Sequence, residues 1–169
     1  MATVVLTAEP LTKEGFAPYG DVIEMAGSQH YSINRDTVER YHDLANIEVD
    51  YAKGGRAIVS IAKINIAGSF PFSFNLVERH PKGSQAFIPM FDAPVVVVVA
   101  SRGETVNASE LRAFVTNGHQ GFNYHTGTWH MPLMSDQVGR TFVVIDRSGH
   151  GDNCDEYTFP NENIELRLP

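Results

Sequence analysis

Two short segments hold most of the seven histidines, and both mix them with other side chains that do acid–base or metal chemistry. The first, residues 78–90, reads ERHPKGSQAFIPM, and the second, residues 119–133, reads HQGFNYHTGTWHMPL. A third polar and aromatic segment, residues 39–45, reads ERYHDLA. Burying such polar groups costs free energy unless each one is paired, so we expect these segments to line a pocket.

The spacing in the first segment suits a metal site. In an extended chain Glu78 and His80 share a face, and a turn containing Pro81 and Gly83 can return Gln85 to the same side. This E-x-H-x4-Q pattern matches the first cupin motif, H-x-H-x(3,4)-E, with two of its three ligand types changed. It therefore predicts three inward-facing ligands from one strand and the turn that follows it.

The second segment supplies a fourth ligand. Its G-x-x-H string ends at His130 and matches the second cupin motif, although the final Asn of that motif is missing. Glu78, His80, Gln85 and His130 together predict a site for a divalent metal such as nickel, zinc, manganese or iron. The changed ligand types weaken affinity for zinc and nickel, so a metal-free site in which His80 acts as the base stays open. Three of the histidines outside this pattern are expected on the surface or hydrogen-bonded in the core, namely His30, His119 and His150.

The elements that must position these side chains are predicted to be β-strands separated by glycine-rich turns. Strands are predicted at residues 20–25, 56–63, 95–99 and 142–145. Residues 95–99 are five valines without polar alternation, so that strand is expected to be covered on both faces. Helix is predicted only as single turns, at residues 12–17 with Thr12 as the cap and at 107–113 with Ser109 as a cap candidate.

Length and composition indicate one globular domain over residues 1–169. Apolar residues make up 43% of the chain and charged residues 20%, which is enough to bury a core. With few helices and many short strands, the predicted fold class is all-β, a single-domain cupin-like barrel or sandwich with a few short helices.

Charge and cysteine content limit the partners and the compartment. The formal net charge of −7 argues against nucleic acid and anionic membranes as partners. The single cysteine, Cys154, cannot form an internal disulfide. The first ten residues, MATVVLTAEP, lack a basic leader and a long apolar stretch, and the longest apolar run, residues 93–100, is too short for a membrane helix. The expected location is the cytosol.

Longer strings resemble the ureidoglycolate lyase family of allantoin catabolism. They are GFAPYGDVIE from Gly15, ERYHDLA from Glu39, ERHPKGSQAFIPM from Glu78, LRAFVTNGHQGFNYHTGTWHMPL from Leu111 and FVVIDRSGHGDNCDE from Phe142. The resemblance implies a cupin-like barrel that cleaves (S)-ureidoglycolate, a small anionic substrate, into glyoxylate and urea. It also implies a homodimer without an organic cofactor, with nickel as the metal when one is bound and zinc or manganese as alternatives.

That reaction needs a base, an acid and a group that binds the carboxylate. His80 or His130 is suited to take the hydroxyl proton, unless a metal on the four ligands lowers the pKa of that hydroxyl instead. Tyr124 and His125 follow closely in sequence and are the expected donors to the leaving nitrogen or the urea oxygen.

Three cationic residues are candidates for binding the substrate carboxylate. They are Arg40, Arg79 and Lys82, with arginine preferred for its two-pronged geometry. Tyr41 and Trp129 are expected to shape the walls of the pocket. A surface ion pair is the plainer interpretation of Arg40, and core packing is the plainer interpretation of Trp129.

Two other functions are compatible with the sequence, and a third is disfavoured by it. One is an ammonia-releasing ureidoglycolate hydrolase, and another is a non-catalytic cupin module that binds a small carboxylate. The third is a metal-dependent cupin oxygenase or isomerase, which would require the full His and Glu ligand set that this chain lacks.

Overall fold

Strands dominate the computed structural model, which describes residues 1–169. It has one α-helix, α1 (Lys13–Phe16), and two 3₁₀ turns, Tyr51–Lys53 and Ala108–Glu110. The strands, in chain order, are β1 (Ala2–Thr7), β2 (Glu9–Pro10), β3 (Gly20–Ile23), β4 (His30–Ile33), β5 (Val38–Tyr41), β6 (Arg56–Lys63), β7 (Phe72–Phe74), β8 (Leu76–Arg79), β9 (Gln85–Pro89), β10 (Val96–Ala100), β11 (Arg112–Val115), β12 (Gly121–Tyr124), β13 (Trp129–His130), β14 (Thr141–Ser148), β15 (Asp155–Thr158) and β16 (Glu162–Arg167). The all-β prediction is confirmed.

Three sheets form successive layers. The outer sheet has the order β1-β16-β7, the central sheet β15-β8-β13-β10-β11-β2, and the inner-site sheet β3-β12-β9-β14-β6. The hairpin of β4 and β5 forms a separate two-stranded sheet. This arrangement leaves two apolar layers, one on each face of the central sheet.

The central strand β10 contributes to both apolar layers. Val96 and Val98 pack in the core that includes Ile164 and Leu166 of the outer sheet. Val97 and Val99 pack in the second core, together with aromatic rings of the inner-site sheet, Phe87, Phe122, Tyr124 and Phe142. The prediction that the valine strand is covered on both faces is confirmed, with the strand shifted by one residue.

The strand and helix predictions agree with the structure where local composition or a capping residue favours one type of element. The strand predicted at 56–63 has those bounds in the structure, and the strand predicted from residue 20 ends at Ile23. Thr12 caps α1, because its Oγ1 atom accepts a hydrogen bond from the Gly15 N–H at 3.0 Å.

The predicted cap at Ser109 was wrong. Asn107 is the cap of the short 3₁₀ turn, and the Glu110 carboxylate accepts from the Asn107 backbone N–H at 2.8 Å. The N-x-x-E spacing of these two residues is that of a capping box, so the signal was present in the sequence.

No helix of the structure is long and apolar enough to cross a membrane.

Candidate active site

Glu78, His80 and His130 meet in the layer between the central and inner-site sheets. Glu78 opposes His130 across β8 and β13, and His130 opposes Val99, whose side chain faces the same layer. The His130 Nε2 atom lies 3.3 Å from Glu78 Oε1, and the His80 Nε2 atom lies 4.0 Å from the same oxygen. The two imidazole rings are 5.1 Å apart between centroids.

Gln85 joins these three from the opposite sheet. It begins β9, and its Oε1 atom lies 3.0 Å from His80 Nε2. The structure therefore brings together all four residues that the sequence proposed as metal ligands.

Outer contacts fix which nitrogen of each imidazole carries a proton. His80 Nδ1 lies 2.7 Å from the carbonyl oxygen of Asn153, and His130 Nδ1 lies 3.0 Å from that of Thr128. A carbonyl oxygen only accepts, so each Nδ1 is a donor, and the nearest site atom to the Nε2 of His80 is Gln85 Oε1 while the nearest to that of His130 is Glu78 Oε1. His130 Nε2 is buried without a hydrogen-bond partner. Two imidazole nitrogens and two oxygens that converge in this way fit a divalent cation.

Burial of His130 and its contact with Glu78 set the protonation states of these two side chains. Burial lowers the pKa of His130, so its imidazole is neutral near pH 7. The close approach of His130 lowers the pKa of Glu78, which keeps that carboxylate ionised. A neutral imidazole beside a carboxylate is the state that a metal ion requires of its ligands.

Tyr124 supports His130 from the inner-site sheet. Its ring is stacked on the His130 ring, with centroids 4.1 Å apart and an interplanar angle of 14°. Burial raises the pKa of the Tyr124 phenol, so the group stays protonated. Its evident contribution is to hold the imidazole in place.

Two further residues lie at the rim of the site. Cys154 Sγ is 3.6 Å from Glu78 Oε2, and the Glu156 carboxylate is within 4.8 Å of both groups. Burial raises the pKa of the Cys154 thiol to about 11, so it is a thiol and not a thiolate near pH 7. Sequence reasoning left the role of Cys154 open and missed Glu156, although both lie in the family-like string from Phe142.

Asp146 was also missed. Its Oδ2 atom accepts a hydrogen bond from Gln85 Nε2 at 3.1 Å. The residue lies in β14, next to β9 in the inner-site sheet, and belongs to the same family-like string.

Arg79 and Trp129 do not belong to this site, which corrects the expectation for both. Strand alternation directs them to the opposite face of the central sheet from Glu78 and His130. Arg79 donates to Asp155 at 2.9 Å and to Glu104 at 3.0 Å, and its guanidinium lies 5.1 Å from the centre of the Trp129 ring. Their role is to tie β8 to β15 and to the loop before β11.

His125 lies on the outer face of the inner-site sheet, so its expected place beside the leaving group was wrong. Its Nε2 atom is 3.3 Å from Asp21 Oδ1, and Asn123 donates to the other oxygen of Asp21 at 3.0 Å. His125 and Asp21 open into a cleft of about 380 Å³ that Lys13 and His42 also line. This cleft is separate from the interior site.

Arg40 and Tyr41 were also placed wrongly by sequence reasoning. Both lie in the β4–β5 hairpin, where Arg40 is exposed and Tyr41 is stacked on His30 with ring centroids 5.2 Å apart. Of the three cationic candidates, Lys82 is the one whose backbone adjoins the site, because its N–H donates to the Asn153 side chain at 2.7 Å. Asn153 is the residue whose carbonyl orients His80.

Known proteins resemble this chain over nearly its whole length. The sequence profile of the family described as ureidoglycolate lyase matches residues 3–166. A ureidoglycolate lyase from Pseudomonas fluorescens (strain Pf0-1) is 48% identical over 97% of this chain and 97% of its own. One from Stutzerimonas stutzeri (strain A1501) is 49% identical over 97% of this chain and 95% of its own.

Among solved structures, a 3,4-ketoisomerase from Helicobacter canadensis aligns with a TM-score of 0.39 and 15% identity, over 78% of this chain and 84% of that chain. The family match over nearly the whole length, together with relatives that share almost half of its residues, shows that this chain belongs to the ureidoglycolate lyase family.

Proposed function

We propose that this protein cleaves the C–N bond of (S)-ureidoglycolate, releasing glyoxylate and urea in allantoin degradation. The observation that carries this proposal is the convergence of Glu78, His80, Gln85 and His130 in one interior site of a chain from this family. We place the reaction in the cytosol, in line with a chain whose single cysteine calls for no oxidising compartment.

A divalent metal, with nickel as the first candidate, would be held by the two Nε2 atoms and by Glu78 and Gln85. When bound, such an ion acts as a Lewis acid that lowers the pKa of the substrate hydroxyl. The charge of the site supports this proposal, since Glu78, Asp146 and Glu156 bring carboxylates to it and their direct contacts include no lysine or arginine. A bound dication offsets that charge and admits an anionic substrate.

One group can act as both the base and the acid if it reaches two neighbouring atoms of the substrate. The hydroxyl oxygen loses a proton as the C=O of glyoxylate forms, and the nitrogen of urea gains one as the C–N bond breaks. Both atoms are bonded to the same carbon, so one carboxylate can serve both steps. We assign this role to Glu156, which lies at the rim of the site beside Glu78 and Cys154.

Lys82 is the proposed anchor for the substrate carboxylate. The geometry removes Arg79 and Arg40 from this role, because one faces the other side of the central sheet and the other lies on the exposed hairpin. Lys82 follows His80 by two residues, and its ammonium lies close to Gly151 in the loop before β15. An ammonium at the rim leaves the carbon that reacts directed toward the interior ligands.

We also propose a homodimer. Strand β6 pairs only with β14 and so forms an edge of the inner-site sheet. Its outward side chains Val59 and Ile61 are 72% and 66% exposed, and Met90 nearby in the sheet is 56% exposed. An exposed apolar face on an edge strand is typical of a surface covered by another copy.

The reaction is tested by incubating the purified protein with ureidoglycolate and measuring glyoxylate, urea and ammonia separately. Glyoxylate and urea without ammonia are expected. Ammonia as a product would indicate the hydrolase reaction instead, and binding without any product would indicate a carboxylate-binding module. A chelator-treated sample, and the same sample with nickel restored, test the metal.

A further inference from the structure

We infer that Asp146 is a positioning residue that fixes the Gln85 side chain with its oxygen, not its nitrogen, directed at His80. This inference rests on the proposed metal site and adds a residue to it. A glutamine amide has one end that donates and one that accepts, so its orientation decides whether it can be a ligand.

The contacts of the amide show what sets that orientation. Gln85 Nε2 donates to Asp146 Oδ2 at 3.1 Å, and Gln85 Oε1 then faces His80 Nε2 at 3.0 Å. A carboxylate accepts and does not donate, so the reversed amide would place two oxygens against each other at Asp146. Asp146 therefore selects one of two orientations that have nearly the same shape.

While His80 is neutral, the selected orientation places two acceptor atoms against each other, and either a bound cation or a proton on His80 Nε2 relieves that contact. His80 Nδ1 is held by the Asn153 carbonyl, so His80 Nε2 directs a lone pair toward the oxygen of Gln85. The reversed amide would instead donate to that lone pair and form an ordinary hydrogen bond. Such a bond would occupy His80 and remove the Gln85 oxygen, so two of the four donors would be lost together.

Neighbouring strands hold the two residues in register. Gln85 begins β9 and Asp146 lies in β14, and the ladder between these strands pairs Ala86 with Ile145. Asp146 and Gln85 therefore lie opposite each other, one position beyond that pair. The rigid sheet, rather than a loop, supports the contact.

A double-mutant cycle tests this role. Nickel affinity is measured by titration calorimetry on the intact, metal-free protein and on Asp146→Asn, Gln85→Leu and the double variant. We expect Asp146→Asn to weaken binding by about tenfold to hundredfold, the usual cost of losing an outer contact of a metal ligand. In the Gln85→Leu background the same change is expected to have no further effect, because no amide is left to orient.

Equal losses in both backgrounds would show that Asp146 acts through its charge or through the fold, and full affinity in Asp146→Asn would also overturn the inference. Asp36→Asn, on the exposed hairpin, is the matched control.

A second measurement separates this inference from the metal proposal. In the metal-free protein, nitrogen–nitrogen scalar couplings across a hydrogen bond from the Gln85 side-chain amide to His80 Nε2 are expected in Asp146→Asn and not in the parent chain. Their presence in the parent chain would overturn the orientation, whether or not nickel binds. If nickel does not bind the parent chain, the metal proposal fails while this comparison still decides the role of Asp146.

Discussion

At the scale of single residues, His130 has the most restricted environment in the site. Its Nε2 atom is buried beside Glu78 without a hydrogen-bond partner, and Tyr124 covers the face of the ring. We expect His130→Ala to abolish both nickel binding and urea formation while the chain stays folded. Calorimetry, product assays and circular dichroism measure these properties. His119→Ala, an exposed histidine, is the control, and full activity of His130→Ala would remove His130 from the mechanism.

The burial of His130 also predicts how stability depends on pH. Its pKa is lowered from the ordinary 6.5, so the unfolded chain binds a proton there more tightly than the folded chain does. The free energy of unfolding of the metal-free protein should therefore fall as the pH drops below 6.5. The lowered pKa of Glu78 adds a further loss below 4.5. Urea titrations at a series of pH values measure this slope, which should flatten near pH 6 in His130→Gln but not in His150→Gln.

Lys82 and Arg79 should respond differently to truncation, because Lys82 is the proposed anchor and Arg79 faces the other side of the central sheet. Lys82→Ala is expected to raise KM by roughly tenfold to hundredfold, the value of a lost charge-assisted hydrogen bond. Arg79→Ala is expected to leave KM unchanged and to lower the free energy of unfolding by about 1 kcal/mol, because its carboxylate partners are partly exposed. Steady-state kinetics and urea unfolding test both; a raised KM in Arg79→Ala alone would reverse the assignment.

The sequence predicted the four interior side chains and misplaced several others. A period of two places Glu78 and His80 on one face, and the same period places Arg79 on the other, so that error could have been avoided. The same rule separates His125 from Tyr124, whose ring faces the interior. For Arg40 no such rule was available, because its position depends on the hairpin to which it belongs, and the place of that hairpin is set by contacts between distant parts of the chain.

At the scale of elements, β10 is the strand on which both cores depend. Val97 and Val98 are at most 2% exposed and face opposite layers. Val97→Ala and Val98→Ala should each lower the free energy of unfolding by about 2 kcal/mol, since each leaves a cavity in a packed core. Val38→Ala on the hairpin, where the side chain is 44% exposed, is the control in chemical unfolding. A near-zero cost for one of the two core variants would show that its layer is loosely packed.

Elements were predicted best where composition alone decides them. The β-branched residues at 56–63 and the valines of β10 predict strands, and Thr12 predicts the start of a helix. The order of strands in the sheets was not predictable in this way. For example, β8 pairs with both β13 and β15, and nothing in the local sequences of these three segments indicates that they pair.

At the scale of the whole molecule, the proposed homodimer can be tested by a substitution on the exposed apolar face of β6. Ile61→Lys places a charge in the middle of that face and should convert the proposed dimer into a monomer, because a buried unpaired charge is costly. Sedimentation equilibrium measures the mass, and Val38→Lys on the exposed hairpin is the matched control. A dimer that persists in Ile61→Lys would place the contact elsewhere on the surface.

The outer sheet joins the two ends of this sequence, since β1 pairs in parallel with β16 from Ala2 opposite Glu162 to Thr7 opposite Arg167. During synthesis β1 is translated before the other strands of this fold, and its partner β16 is translated after them. The core side chains Val98, Ile164 and Leu166 therefore cannot be enclosed until translation of β16 is finished. A ribosome stalled shortly before β16 should hold a nascent chain that proteases cleave readily, even though most of its strands have already been made.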